Sequence, residues 1–118
     1  MLPYTEIDNL TIWCNNDKEI TELFNVLPNT KITDLRIGGK YKNSYKLNKL
    51  CEVLPNTKIT SFDLANCLIK DISKLCDILH KTNISVLDLS DNIINDISKL
   101  CEVLPYSKIT DLDLSSNL

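Results

Sequence analysis

Apolar side chains recur along this chain with two alternating spacings. Ile84, Leu87 and Leu89 lead to Asn92 and Ile94 as a short extended segment with apolar residues at alternate positions. That period is the mark of a strand burying one face. The next apolar set, Ile97, Leu100, Cys101 and Leu104, is spaced i, i+3, i+4, i+7, which places all four on one face of a helix of about two to three turns. Asn95 or Asp96 is placed to cap its start and Pro105 to stop it. The quartet returns as Ile20, Leu23, Phe24, Leu27, as Leu47, Leu50, Cys51, Leu54, and as Ile72, Leu75, Cys76, Leu79. Each unit is therefore predicted to be one strand and one helix.

An internal repeat produces this alternation. KLCEVLPNTKITSFDLANCLIKDIS from Lys49 is echoed by KLCDILHKTNISVLDLSDNIINDIS from Lys74 and by KLCEVLPYSKITDLDLSSNL from Lys99, a period of 25 residues. ELFNVLPNTKITDLRIGG from Glu22 aligns at an offset of 27, so that unit carries two extra residues. LPYTEIDNLTIWCN aligns too, with Leu2 in the column of Leu27, Leu54, Leu79 and Leu104. No single unit can bury both its strand and its helix face, so neighbours must stack to share a core, and about three repeats are the minimum.

Ile84-x-x-Leu87-x-Leu89-x-x-Asn92-x-Ile94 and Ile109-x-x-Leu112-x-Leu114-x-x-Asn117 resemble the leucine-rich repeat pattern L-x-x-L-x-L-x-x-N/C-x-L. The resemblance covers the whole chain. In unit length and helical half it is most similar to the ribonuclease-inhibitor-like subclass, and a cysteine-containing subclass is also similar. It implies one domain over residues 1–118 with about five strand units. The expected fold is an α/β right-handed solenoid, with a parallel sheet on the concave side and short helices on the convex side.

Composition narrows the function. The 43% hydrophobic and 25% charged content is that of a globular domain. The net charge of -3 and pI near 5.0 give no general attraction to phosphate backbones, which disfavours nucleic acid as a partner. MLPYTEIDNLTIW has no basic segment ahead of an apolar one, and no run approaches the roughly 20 apolar residues of a membrane span. Five cysteines, an odd number, point to free thiols in a reducing compartment, with cytoplasm as the default.

Candidate chemistry is sparse. Cys51, Cys76 and Cys101 share a column with Phe24 and are expected in the core. Cys67 stands where Asn92 and Asn117 stand, and either residue can meet backbone groups in the turn after the strand. His80 follows Cys76 by four residues, a spacing that can put a thiol and an imidazole on one helical face. It also replaces the proline of Pro28, Pro55 and Pro105, which makes it a loop substitution. No G-x-S-x-G, H-E-x-x-H, Walker or G-x-G-x-x-G pattern occurs. No enzyme activity, cofactor, metal site or small-molecule substrate is expected.

The resemblance implies that variable residues around the strand point into the concave face. One column runs Thr11, Arg36, Asp63, Asp88, Asp113 and another Asn9, Asp34, Ser61, Val86, Asp111. Parallel strands lie about 4.8 Å apart, so aspartates in register repel one another unless screened or matched by cations. A basic protein surface is one answer, and a solvated acidic face needs no ligand. Trp13, in the column of Gly38, Ala65, Ser90 and Ser115, is either an interface anchor or a cover for the first unit. The stretch from Gly38 to Lys46 breaks the pattern. Lys40 stands for Asn or Cys, Lys42 for an apolar residue, and two residues are inserted near 40–46. Lys40, Tyr41, Lys42 and Tyr45 form either a partner-binding loop or a solvated one. Lys49 with Glu52, Lys74 with Asp77 and Lys99 with Glu102 are expected to pair along the outer helix faces.

The expected partner-binding set is thus Trp13, Asp34, Arg36, Asp63, Val86, Asp88, Asp111, Asp113, Lys40, Tyr41, Lys42 and Tyr45, on a non-enzymatic protein-interaction scaffold. The alternatives are a substrate-recognition arm or an inert structural segment of a larger repeat protein. The register starts at Leu2 and runs to Asn117 and Leu118 after a strand, so both ends are expected to expose repeat core. That implies a longer parent protein or self-association through uncapped ends.

Overall fold

The computed structural model describes residues 7–13, 17–38 and 44–117, the side chains of 17–20 and 44–46 excepted. Strands and helices alternate: β1 (Asn9–Trp13), α1 (Asp17–Val26), β2 (Asp34–Gly38), α2 (Ser44–Val53), β3 (Ser61–Asp63), α3 (Ser73–Ile78), β4 (Val86–Asp88), α4 (Ser98–Val103) and β5 (Asp111–Asp113). All the strands join one parallel sheet in the order β1-β2-β3-β4-β5. A helix lies in every connection, and each helix packs on the next. The architecture is α/β. No helix among the described residues is long and apolar enough to cross a membrane.

Strand register reproduces the repeat register. Leu10 pairs with Leu35, Leu35 with Phe62, Phe62 with Leu87, and Leu87 with Leu112. These side chains face the helices. Leu35, Phe62 and Leu87 are 1% exposed, as are Leu27, Leu54 and Leu79 from the helical half, while Leu50 and Leu75 are sealed completely. Each such burial stabilises by ~1.5–3 kcal/mol relative to exposure, which is why unit follows unit without a gap.

The helices end in a way the prolines do not explain. After α1 to α4 the chain tightens into 3-10 turns at Leu27–Asn29, Leu54–Asn56, Leu79–Lys81 and Leu104–Tyr106. Pro28, Pro55 and Pro105 lie inside these turns, yet the same turn forms where His80 replaces proline. What recurs is a hydroxyl. Thr30, Thr57, Thr82 and Ser107 each donate their hydroxyl to the carbonyl of Leu27, Leu54, Leu79 or Leu104 at 2.8 Å. The same oxygen accepts the N–H two residues on, at 3.3–3.4 Å. This clamp turns the chain from helix to strand.

After β4 and β5 the turn that follows the strand is held by an amide. Asn92 is buried and donates to the carbonyls of Leu64, Leu89 and Ser90 at 3.0–3.1 Å, while its Oδ1 accepts the N–H groups of Cys67 and Ile69 at 3.0 Å. Asn117 repeats the pattern toward Leu89, Leu114, Ser115 and Ile94. Cys67 fills the same position with a thiol that faces the carbonyls of Ile37 and Ala65 at 3.2 and 3.4 Å. The left-handed residues Asn66, Asp91 and Ser116 share a column beside these groups, with Leu68 a further left-handed residue (φ 57°) in one turn only.

The cysteine column divides. Cys51 and Cys76 are fully buried, but Cys101 is exposed, because the side of α4 that faces away from α3 carries no further helix among the described residues. The pairing expected along α4 is also revised. Lys99 reaches back to Asp77 on α3, so the ion pair ties two units rather than one turn.

Asn92→Ala removes the shared partner of several buried backbone groups. At about 1–3 kcal/mol for each group left unsatisfied, the loss in urea unfolding is expected to be at least ~3 kcal/mol, and a loss below ~1 kcal/mol contradicts the assignment.

Burial pushes the thiol of Cys51 up to about 12 and that of Cys76 up to about 11, so neither forms thiolate at neutral pH. In the native protein at high dilution, as a single chain, a maleimide is therefore expected to label Cys101 and to spare Cys51 and Cys76, read by peptide mass mapping. Equal labelling of the three contradicts the packing.

Candidate functional site

Because side chains alternate across each strand, the residues between the buried positions gather on the opposite face of the sheet. That face carries Asn9, Thr11 and Trp13 from β1, Asp34 and Arg36 from β2, Ser61 and Asp63 from β3, Val86 and Asp88 from β4, and Asp111 and Asp113 from β5. The pairing aligns Asn9, Asp34, Ser61, Val86 and Asp111 in one row and Thr11, Arg36, Asp63, Asp88 and Asp113 in the next. Trp13, Asp34, Arg36, Asp63, Val86, Asp88, Asp111 and Asp113 are thus brought together as expected from the sequence.

The other expected element is placed differently. Tyr45 belongs to α2, which starts at Ser44, and not to a loop. Lys40, Tyr41 and Lys42 lie outside the described residues, as does the side chain of Tyr45. Since α1 and α2 have 10 residues each, the two extra residues of that unit fall in the connection 39–43.

The aspartates have a local task. Oδ1 of Asp63 accepts the N–H of Ala65 at 2.9 Å. Oδ1 of Asp88 accepts the N–H of Ser90 at 2.9 Å and its hydroxyl at 2.6 Å, and Asp113 accepts the same pair from Ser115. The motif Asp-x-Ser returns where α3 and α4 begin, with Asp71 accepting from Ser73 and Asp96 from Ser98. Asp96 thus organises the start of α4 from one position before Ile97, which stands at the N-cap position without a side-chain bond of its own. The Ser115 hydroxyl and then its N–H hold the Asp113 carboxyl below the usual aspartate range. Its charge therefore persists to lower pH than that of an ordinary aspartate.

These bonds engage Oδ1 and not the second carboxylate oxygen. On Asp63 it lies 3.5 Å from Nε of Arg36, the one cation among the described residues of this face. Asp88 and Asp113 have no ion-pair partner among the described residues. The face is therefore partly compensated around β2 and β3, where Arg36 shares it with Asp34 and Asp63, and uncompensated around β4 and β5. A shallow depression of about 240 Å³ lies at the partly compensated end, lined by Asn9, Thr11, Asp34, Arg36, Ser61 and Asp63.

Trp13 stands beside it, 64% exposed. Gly38, its partner in the pairing, is buried although it belongs to the exposed face. The indole covers it: a Cβ on Gly38 would meet Cζ3 of Trp13 at 2.7 Å. The ring rests on backbone and presents its remaining surface to solvent. The repeat column sets Gly38 beside Trp13 without predicting this contact. The signal that identifies Gly38 is its position in the Trp13 column.

His80 is exposed on its turn and Cys76 is sealed in the core with its thiol pushed up. The two make no activated nucleophile. Among the described residues no group of three or more metal-ligating side chains converges. No protein-family model matches the chain, and no curated protein matches it.

Trp13 is the single tryptophan, so its seat can be read directly. Gly38→Ala is expected to lift the ring, giving a red-shifted emission and stronger acrylamide quenching with unchanged far-ultraviolet circular dichroism. An unchanged emission spectrum contradicts the contact.

Proposed function

We propose that the chain is a leucine-rich repeat solenoid, right-handed, with its sheet on the concave side and its helices on the convex side, and that it acts as a non-enzymatic scaffold binding a basic protein segment across that sheet. The observation that carries this is the exposed face itself. Trp13 and Val86 stand out to solvent there, and Asp34, Asp63, Asp88, Asp111 and Asp113 share the face with Arg36 as its one cation among the described residues. An exposed aromatic held on a rigid seat is suited to anchor a partner, because little side-chain entropy remains to be lost on binding. The uncompensated carboxylates of β4 and β5 favour a partner that supplies lysine or arginine and penalise an acidic one. The hydrogen-bonded backbone beneath keeps these groups at fixed spacing.

Charge and turn chemistry can be separated at this surface. Asparagine at position 88 or 113 keeps an Oδ1 to accept the local N–H and removes only the charge. In a titration of Trp13 fluorescence with a lysine- and arginine-rich peptide, Asp88→Asn/Asp113→Asn is expected to weaken binding. Exposed ion pairs are worth ~0.2–1 kcal/mol each, so the loss of two amounts to roughly twofold to thirtyfold in Kd. Identical, salt-insensitive titrations of parent and variant contradict the proposal.

A further inference from the structure

A different surface carries an inference independent of the sheet face. On the outer flank of β5 and α4, Leu104, Ile109, Leu112 and Leu114 are only half-buried and Cys101 is exposed. Their counterparts one unit earlier, Leu79, Ile84, Leu87, Leu89 and Cys76, have the same residue types and are no more than 1% exposed, because the β5–α4 unit covers them. On the opposite flank, Ile7 is 40% exposed, and Leu10 and Leu23 are half-buried. The counterparts Ile32, Leu35 and Leu50 are no more than 1% exposed beneath the preceding unit. Among the described residues, the interface that joins unit to unit thus has one half uncovered on each side.

Hydrogen bonding follows the same rule. The N–H groups of Leu64 and Leu89 donate to the carbonyls of Asp88 and Asp113, and those of Asn66 and Asp91 to Ser90 and Ser115. Leu114 and Ser116, next in that series, have no acceptor among the described residues.

We propose that a second copy of this chain stacks head to tail on the β5–α4 flank, its β1 continuing the parallel sheet. In that arrangement Leu10 of the second copy lies beside Leu112, and the Leu114 N–H meets the carbonyl of the second copy's Thr11. Charge favours this pairing over a two-fold one. Continuation sets the neutral Asn9 and Thr11 beside Asp111 and Asp113, whereas β5 against β5 sets those aspartates near their own copies. The contact is heterologous, so it repeats from copy to copy instead of closing at a pair.

Leu112→Lys spoils one flank and Leu10→Lys the other. In sedimentation velocity over a concentration series, in reducing buffer so that Cys101 forms no disulfide, the parent's weight-average mass is expected to climb past twice the 13.4 kDa of one chain. Each variant alone is expected to stay a single chain. An equimolar mixture is expected to form one-to-one pairs, since each supplies the flank the other lacks. Circular dichroism checks the fold, and Ile7→Lys, at an already exposed position, replaces Leu10→Lys if that variant unfolds. A parent that remains a single chain at every concentration overturns the proposal, as does a closed dimer that Leu10→Lys retains or a mixture that does not pair.

Discussion

Mutual burial in register is the constraint on which everything else here depends. A strand–helix unit of this sequence has apolar side chains on both flanks and seals them only against a neighbour whose leucines stand opposite its own. Leu35, Phe62 and Leu87 disappear from solvent because β1 to β5 pair without a slip. A slip by one residue would turn each of them to the exposed face and bring Asp34, Asp63 and Asp88 into the core. The aspartates outside and the leucines inside therefore specify one register between them.

Buried polar groups then fix the turns that this register requires. Hydroxyls of Thr30, Thr57, Thr82 and Ser107 take the chain out of each helix, Asn92 and Asn117 hold the turns after β4 and β5, and Asp-x-Ser segments shape those same turns and the starts of α3 and α4. Burying an amide with every hydrogen-bonding group matched costs little, whereas leaving one unmatched is expensive. These residues consequently punish any alternative geometry more than they reward the native one. The exposed face inherits its order from them, since the carboxylates it carries are the same groups that close turns.

Much of this was legible in the sequence. The 25-residue period set the element order, and the columns placed Trp13, Arg36, Val86 and the aspartates on one face, because a repeat converts spacing into position. What escaped it was local chemistry or depended on neighbours. Proline was read as the helix stop, but His80 sits in an identical turn and Thr82 supplies the common bond. The aspartates were read as repelling one another, yet each first satisfies an N–H two residues ahead. Cys101 shares the column of Cys51 and Cys76 but not their burial, because a column describes what a residue is and not what lies on top of it. Tyr45 looked like loop because the pattern breaks before it, while the helix had already begun at Ser44.

A sheet held this way should open as a whole. Native-state hydrogen exchange tests that claim most directly, through the amides of Ser61, Val86 and Asp111, which donate to Thr33, Thr60 and Ser85 of the preceding units. The expected result is slow exchange at all three with a shared denaturant dependence that matches global unfolding. Fast exchange, or three unrelated opening free energies, would show that the units stand independently and would contradict the account.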